Sequence, residues 1–255
     1  ATDMTGGLTV VGTPSTGLIA NATVAALLSL ASKDEAFGGA SLGFVHDGSQ
    51  LRLTLATSGD HAELIYFQKL AIESPATVNL DIEADDSNVT VSDMAGNVVV
   101  STGSGRATVT TGGSTEIRAS SGAVTAAVGF KATVDGGSGA VNVVAGSILD
   151  LKTSSGSVQA DTPTGGKVRT DGGDVDLRLT DPSFGATSID SGAGDVILQI
   201  PIGAKYDLDA FSETGVMVIE VGGLLLTEPY NGPVNGGGPL VTVRTTTGSV
   251  TIITE

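Results

Sequence analysis

Apolar residues return along this chain in a fixed cadence. Val100, Ile117, Val134, Leu151 and Val168 stand 17 residues apart, and Ile189 and Val243 extend the series. A second series runs through Ala107, Val124, Val141, Val158, Val175, Val196, Met217 and Val250. A third follows it two residues later: Val109, Ala126, Val143, Ala160, Leu177, Leu198, Ile219 and Ile252. The positions between the second and third are mostly polar, as at Thr108, Thr125, Asn142, Gln159 and Asp176. Alternation with period two inside a repeat of 17 predicts two short strands per repeat, each turning one face inward.

A glycine anchors each repeat. It stands at Gly105, Gly122, Gly139, Gly156 and Gly173 at intervals of 17, at Gly194 and Gly215 after 21 each, and at Gly248 after 33, close to two repeats. One repeat cannot bury its own apolar face, whereas stacked repeats form parallel ladders around a continuous narrow core. The pattern therefore predicts an all-β, single-stranded parallel β-solenoid of 17-residue coils, eight to ten in number, with a right-handed winding expected of parallel crossovers. At the corner, glycine is expected to supply a backbone conformation that a Cβ penalises. Ser104, Ser121, Ser138 and Ser155 are placed to hydrogen-bond that corner. The longer coils are expected to carry edge loops such as Asp181-Pro182-Ser183.

The two ends break the cadence. Residues 1–75 read as an irregular N-terminal cap and 76–255 as the solenoid, entered through Val78 to Ile82. Ser41–His46 and Gln50–Ala56, separated by Asp47-Gly48-Ser49, predict a hairpin, and Ala62 to Ile72 is a further apolar stretch. Ala22 to Phe37 suits a short helix or a buried strand equally. At the other end Ile197 and Val218 replace polar residues at outward positions, so the runs around them are expected to be covered. The Leu224-to-Leu240 excursion, the N-terminal segment and a partner subunit are the three possible covers. Val250–Thr254 ends the chain without a visible cap. An uncapped strand offers an edge for self-association through the solenoid ends, with Thr5 to Val11 a possible donated strand.

Composition narrows the function. The chain has 255 residues, 37 of them glycine, with 40% apolar but only 4% aromatic residues, no Trp and no Cys. A formal charge of −16 opposes nucleic-acid binding, which needs clustered Lys and Arg, and fits a solvated acidic surface. Without cysteine there is neither a disulfide nor thiol chemistry. No apolar run approaches the roughly 18 to 20 residues of a membrane-spanning helix. The chain opens on Ala1 rather than Met, which reads as a mature terminus and sets the expectation of an extracellular or cell-surface protein.

The segment Val78 to Val109 and the Ser-Gly-x-Val coils after it resemble the bacterial putative-adhesin family of β-helical domains of unassigned function. Gly173-Asp174-Val175 and Gly194-Asp195-Val196 match that family's Gly-Asp-Val-like turns. The resemblance covers roughly residues 75–255. It implies a β-helix and an adhesin-like role, and it carries no catalytic residues to transfer.

Candidate chemistry is sparse. The two histidines, His46 and His61, stand beside turns and suit solvated roles better than a hydrolytic triad or a transition-metal site. Asp171, Asp174, Asp176, Asp190 and Asp195 could serve a glycan-cleaving β-helix, but sugar-stacking aromatics are scarce and no long loops frame a cleft. Asp171, Asp174 and Asp176 also resemble a calcium-binding β-roll turn, although the preceding coils, Ser155-Gly156-Ser157 and Ser138-Gly139-Ala140, offer no carboxylate. Calcium is thus the one cofactor alternative. A Thr-x-Thr ice-binding array starts at Thr108 and Thr110 and is broken in the next coils. The sequons at Asn21 and Asn88 bear on glycosylation only in a secreting host that performs it. The expectation is a non-enzymatic surface protein of adhesin type with a protein or cell-surface partner. A self-assembling fibre or surface-layer subunit and a carbohydrate- or calcium-binding β-helix are the alternatives.

Overall fold

The computed structural model describes residues 7–13, 19–26, 40–47, 50–57, 65–84, 87–221 and 224–255, with backbone alone for the strands before residue 76 and for Leu224. Every regular element among them is a strand. The chain is a parallel β-solenoid whose coils are flattened between two sheets, one 13-stranded and one 10-stranded. A typical coil runs through Val98–Thr102 in the second sheet, a glycine corner, then Ala107–Thr111 in the first sheet, before the next coil begins at Thr115. Seventeen-residue spacing becomes in-register parallel pairing, as in Ala107↔Val124↔Val141↔Val158↔Val175. No helix among the described residues is long and apolar enough to cross a membrane.

Alternation dictates which side chains meet. In Val124–Val128 the first, third and fifth residues are buried and the two between are exposed, and most coils repeat this. Ala107, Ala119, Ala126, Ala132 and Ala145 line the earlier coils, while most of the largest fully buried side chains come later, from Leu149 to Ile252. The interior therefore thickens along the stack. The inserted loop after Thr180 contributes to this thickening: Phe184 turns inward and its ring lies 5.9 Å from that of Tyr206.

The glycine corners have a different cause from the expected one. None of the anchor glycines has positive φ. They are glycine because successive corners stack backbone on backbone. A Cβ on Gly122, Gly139, Gly156, Gly173 or Gly194 would come closer than 3.0 Å to the carbonyl oxygen of the anchor glycine one coil before. At the five later corners, from Gly156 to Gly248, hydrogen bonds come from three residues before the anchor, where an inward Thr or Ser serves the glycine. Thr153 Oγ1 donates to Gly156 O at 2.9 Å, Gly173 N donates to Thr170 Oγ1 at 2.8 Å, and Ser191 Oγ donates to Gly194 O at 3.0 Å. These hydroxyls let a buried backbone turn keep its hydrogen bonds.

The C-terminal end corrects the sequence reading most sharply. Seven coils follow one another in chain order, up to Thr187–Ser191 and Val196–Ile200, and then the order reverses. The last coil, Leu240–Thr245 with Val250–Thr254, lies between that coil and the earlier-made Tyr206–Ser212 with Met217–Val221. Its registers are Ile189↔Val243↔Ala210 and Val196↔Val250↔Met217. Val250–Thr254 is thus an interior strand and not an open end. The stack ends on two short antiparallel strands, Leu224–Leu226 and Tyr230–Val234, the second carrying Pro233. The Leu224-to-Leu240 excursion closes this end instead of covering the outer face. Ile197 is accordingly 39% exposed and Val218 half-buried, beside Thr251 and not beneath a cover.

At the other end, strand Gly7–Thr13 lies parallel between Ile65–Pro75 and Asn88–Met94, so in this chain it is not a donated strand. Ile19–Ala26 pairs antiparallel with Ile65–Pro75, which places Ala22–Ala26 in a strand and not a helix. β-Branched Thr23 and Val24 suit that state, and residues 27–39 lie outside the described residues. The expected hairpin is present as Ala40–Asp47 paired with Gln50–Thr57.

Two substitutions test this packing. Gly156→Ala should lower stability by on the order of 3 kcal/mol, because its Cβ meets a backbone carbonyl that the stack holds in place. Gly112→Ala, with nothing nearer than Met94 O at 3.8 Å, should change it little. Urea denaturation of both variants checks the difference. Tyr206 supplies the second test. Its hydroxyl is buried without a partner, and burial, with Tyr230 adding to it, pushes its pKa up to about 12. The folded chain keeps that proton where the unfolded chain, at 10.0, loses it, so stability falls as pH rises from 10.0 towards 12. Tyr206→Phe should stabilise the protein by about 1 kcal/mol near neutral pH and flatten the alkaline loss.

Candidate functional site: the two lateral faces

Outward positions of the coils make two flat faces of opposite character. On the first sheet, four consecutive coils present Thr108, Thr110, Thr125, Ala127, Asn142, Val144 and Gln159, with no charged outward residue on these strands between Asp93, exposed at the bulge of Asn88–Met94, and Asp161. In a chain carrying 40 charged residues this is a selective exclusion of charge. A shallow open groove of about 470 Å³ runs along its edge, lined by Asn88, Thr90, Ser104, Arg106, Thr108 and Ser121. Thr108 and Thr110 do stand together on this face, and Ala127 and Val144 interrupt the hydroxyl array in the next two coils, as the sequence indicated.

The second sheet gathers the cations. Arg118, Lys152, Lys167, Arg169 and Arg244 point outward from it, interleaved with acids. Lys152 meets Asp135 at 3.6 Å, Arg169 meets Asp190 at 3.6 Å, Arg244 meets Asp209 at 2.6 Å, and Arg118 pairs with Glu116. These pairs are exposed, so each contributes little to stability. Their effect is to balance a face that would otherwise share the chain's negative charge. Asp190, considered above as a possible acid for sugar chemistry, is engaged in this ladder.

The candidate calcium residues are not gathered into one site. Asp171 stands exposed at a corner, where its backbone amide donates to Ser154 O at 3.1 Å. Asp174 accepts the Asp195 amide at 2.9 Å, and Asp195 accepts the Ser249 amide at 2.7 Å. Each carboxylate thereby staples its coil to the next. Asn79, Asn97 and Asn88 do the same, accepting the amides of Asn97, Ser114 and Arg106. The Gly-Asp-Val turns are thus the visible part of an inter-coil staple. Sequence reasoning missed this role, although the recurrence of Asn and Asp about one coil apart was its signal. Asp176 faces outward and accepts Gln199 Nε2 at 3.1 Å. Among the described residues, no three His, Cys, Asp or Glu side chains come together as metal ligands. The side chains of His46 and His61 lie outside the described residues.

The fold places this chain in the class of parallel β-solenoids. No protein-family model matches the sequence, and no curated protein matches it. A solved structure described as a putative cell adhesion protein from Clostridium sporogenes is similar over 98% of this chain and 88% of its own, at 11% identity and a TM-score of 0.28. So distant a likeness leaves function to be read from the faces themselves.

Burial raises the pKa of Asp176, with Asp161 and then Glu255 adding to it and the Gln199 hydrogen bond opposing. The folded state therefore disfavours the charged form, and stability declines as pH rises through the unfolded value of 3.8. Asp176→Asn keeps an oxygen for Gln199 and removes the charge. It should raise the urea midpoint near pH 7 and leave it unchanged near pH 3, where both forms are neutral.

Proposed function

We propose that this chain is a non-enzymatic extracellular or cell-surface protein of adhesin type, which uses the solenoid as a stiff support for a contact face. The observation that carries the reading is the uncharged first-sheet face from Thr108 to Gln159. Charged side chains cost desolvation when a partner covers them, whereas hydroxyls and amides exchange water for partner hydrogen bonds at little cost. A flat array of such groups suits an extended partner, either a protein or a cell-surface polymer.

The reading is tested by binding of the full chain to cell surfaces and to arrays of extracellular proteins and glycans. Thr125→Lys and Asn142→Glu, which put charge in the middle of the face, should each weaken binding at least about tenfold. Lys167→Glu, on the opposite sheet, should leave it unchanged. Equal binding by all three variants, or no binding to any surface, would reject the contact face.

A further inference from the structure

The last coil occupies a place that chain order does not give it, and the residues before it form a hinge. Asn235, Gly236 and Gly237 have successive φ values of 52°, 98° and 80°, and Gly238-Pro239 follow before the strand begins at Leu240. Three consecutive glycines impose few conformational restrictions on the segment beyond them. Asn235 Nδ2 donates to Ala204 O at 2.8 Å as the hinge passes the start of Tyr206–Ser212.

The slot that receives the coil is held by bonds that residues 240–255 of any copy of this chain can supply, the Arg244–Asp209 pair among them. Thr245 Oγ1 donates to Gly194 O at 3.3 Å, Ser249 N donates to Asp195 Oδ1 at 2.7 Å, and Ser212 Oγ donates to Gly248 O at 2.9 Å. These are the corner bonds and staples found between other coils, and they depend on residues 240–255 rather than on the chain to which those residues belong. The coils on either side also match each other. Gly194 to Gly215 is 21 residues, the same interval as Gly173 to Gly194, and both coils place an apolar inward residue, Ile189 or Ala210, two before a buried Ser at 191 or 212. With the last coil withdrawn, Tyr206–Val221 can close on Thr187–Ile200 in an ordinary register. Release of the coil therefore costs one layer of stacking, not the fold.

We propose that Leu240–Thr254 is an exchangeable coil, and that the same segment of a second copy of this chain fills the slot. Each molecule then donates its last coil and receives its neighbour's, making a dimer linked through the hinge at residues 235–239. The ladders and corner bonds formed between two chains are the same ones given up within each, so protein concentration sets the balance between monomer and dimer. This inference stands on the topology alone and is independent of the adhesive role.

The chain has no cysteine, so introduced thiols report cleanly. Ile197 and Thr251 are in-register outward neighbours in adjacent parallel strands, at the roughly 4.8 Å strand spacing that a disulfide spans. Full-length Ile197→Cys and Thr251→Cys single variants are unfolded, mixed, refolded over a concentration series and oxidised. Products are read on non-reducing gels and by peptide mapping. The proposal expects a 197–251 cross-linked dimer that increases with concentration, at least about tenfold above the 197–197 and 251–251 products. The double variant reports the same bond within one chain, and Asp190→Cys with Arg244→Cys is a second pair of in-register neighbours. If either pair closes within one chain and its mixed singles never cross-link above the like-with-like level, exchange is overturned. Closure by neither pair overturns the inserted position itself, and the proposal with it.

Discussion

The close stacking of backbone at the glycine corners constrains the rest of this structure. Parallel strands in a flattened coil reach their hydrogen-bonding distance only if every corner comes as near to its neighbour as every strand does. Side chains on the strands point away from the stacking direction, so they do not obstruct it. A Cβ at the corner would point along it and meet the preceding carbonyl oxygen. The column Gly122, Gly139, Gly156, Gly173 and Gly194 therefore lets the ladders close on both sheets together. From Gly156 onward, the Thr or Ser three residues earlier then supplies a hydrogen bond to the tight turn.

Given that column, core and surface follow from alternation. Inward residues are limited in bulk because the two sheets must stay close, and the interior thickens along the stack as larger side chains, Phe184 and Tyr206 among them, enter it. Outward residues carry no such restriction, so the two faces are free to differ. One sorts charges into opposed pairs, while the other keeps an uncharged run from Thr108 to Gln159. The staples formed by Asp174, Asp195 and the asparagines direct their acceptors along the stack, from one coil to the next.

Much of this architecture was legible in the sequence because it is periodic and local. Val100, Ile117 and Val134 give the register of the second sheet, and Ala107, Val124 and Val141 give that of the first. The order of the last two coils was not legible. Met217 and Val250 are both apolar, Gly215 and Gly248 are both anchors, and nothing in either coil says which lies against Val196. The interval of 33 residues between those anchors reads as a gap in the repeat, when it measures an outward step followed by a return. The outward Ile197 likewise read as covered, because hydrophobicity alone does not distinguish a buried second face from an exposed apolar side chain. Of the contact face, Thr108, Thr125, Asn142 and Gln159 were visible as polar positions. Their shared lack of charge acquires meaning only once the stack aligns them.

The inserted coil also changes how the rod bears load. In a solenoid whose last coil is the outermost one, tension on the C-terminus peels a coil from one neighbour at a time. Here Val250–Thr254 is held on both sides, by Val196–Ile200 and by Met217–Val221, and Leu240–Thr245 is likewise held within the second sheet. Tension applied through Glu255 therefore falls first on a strand paired on both sides, over five residues with Val196–Ile200 and three with Met217–Val221. The coil at residues 240–254 thereby clamps this end of the stack, held by pairing on both sides where an outermost coil has one neighbour.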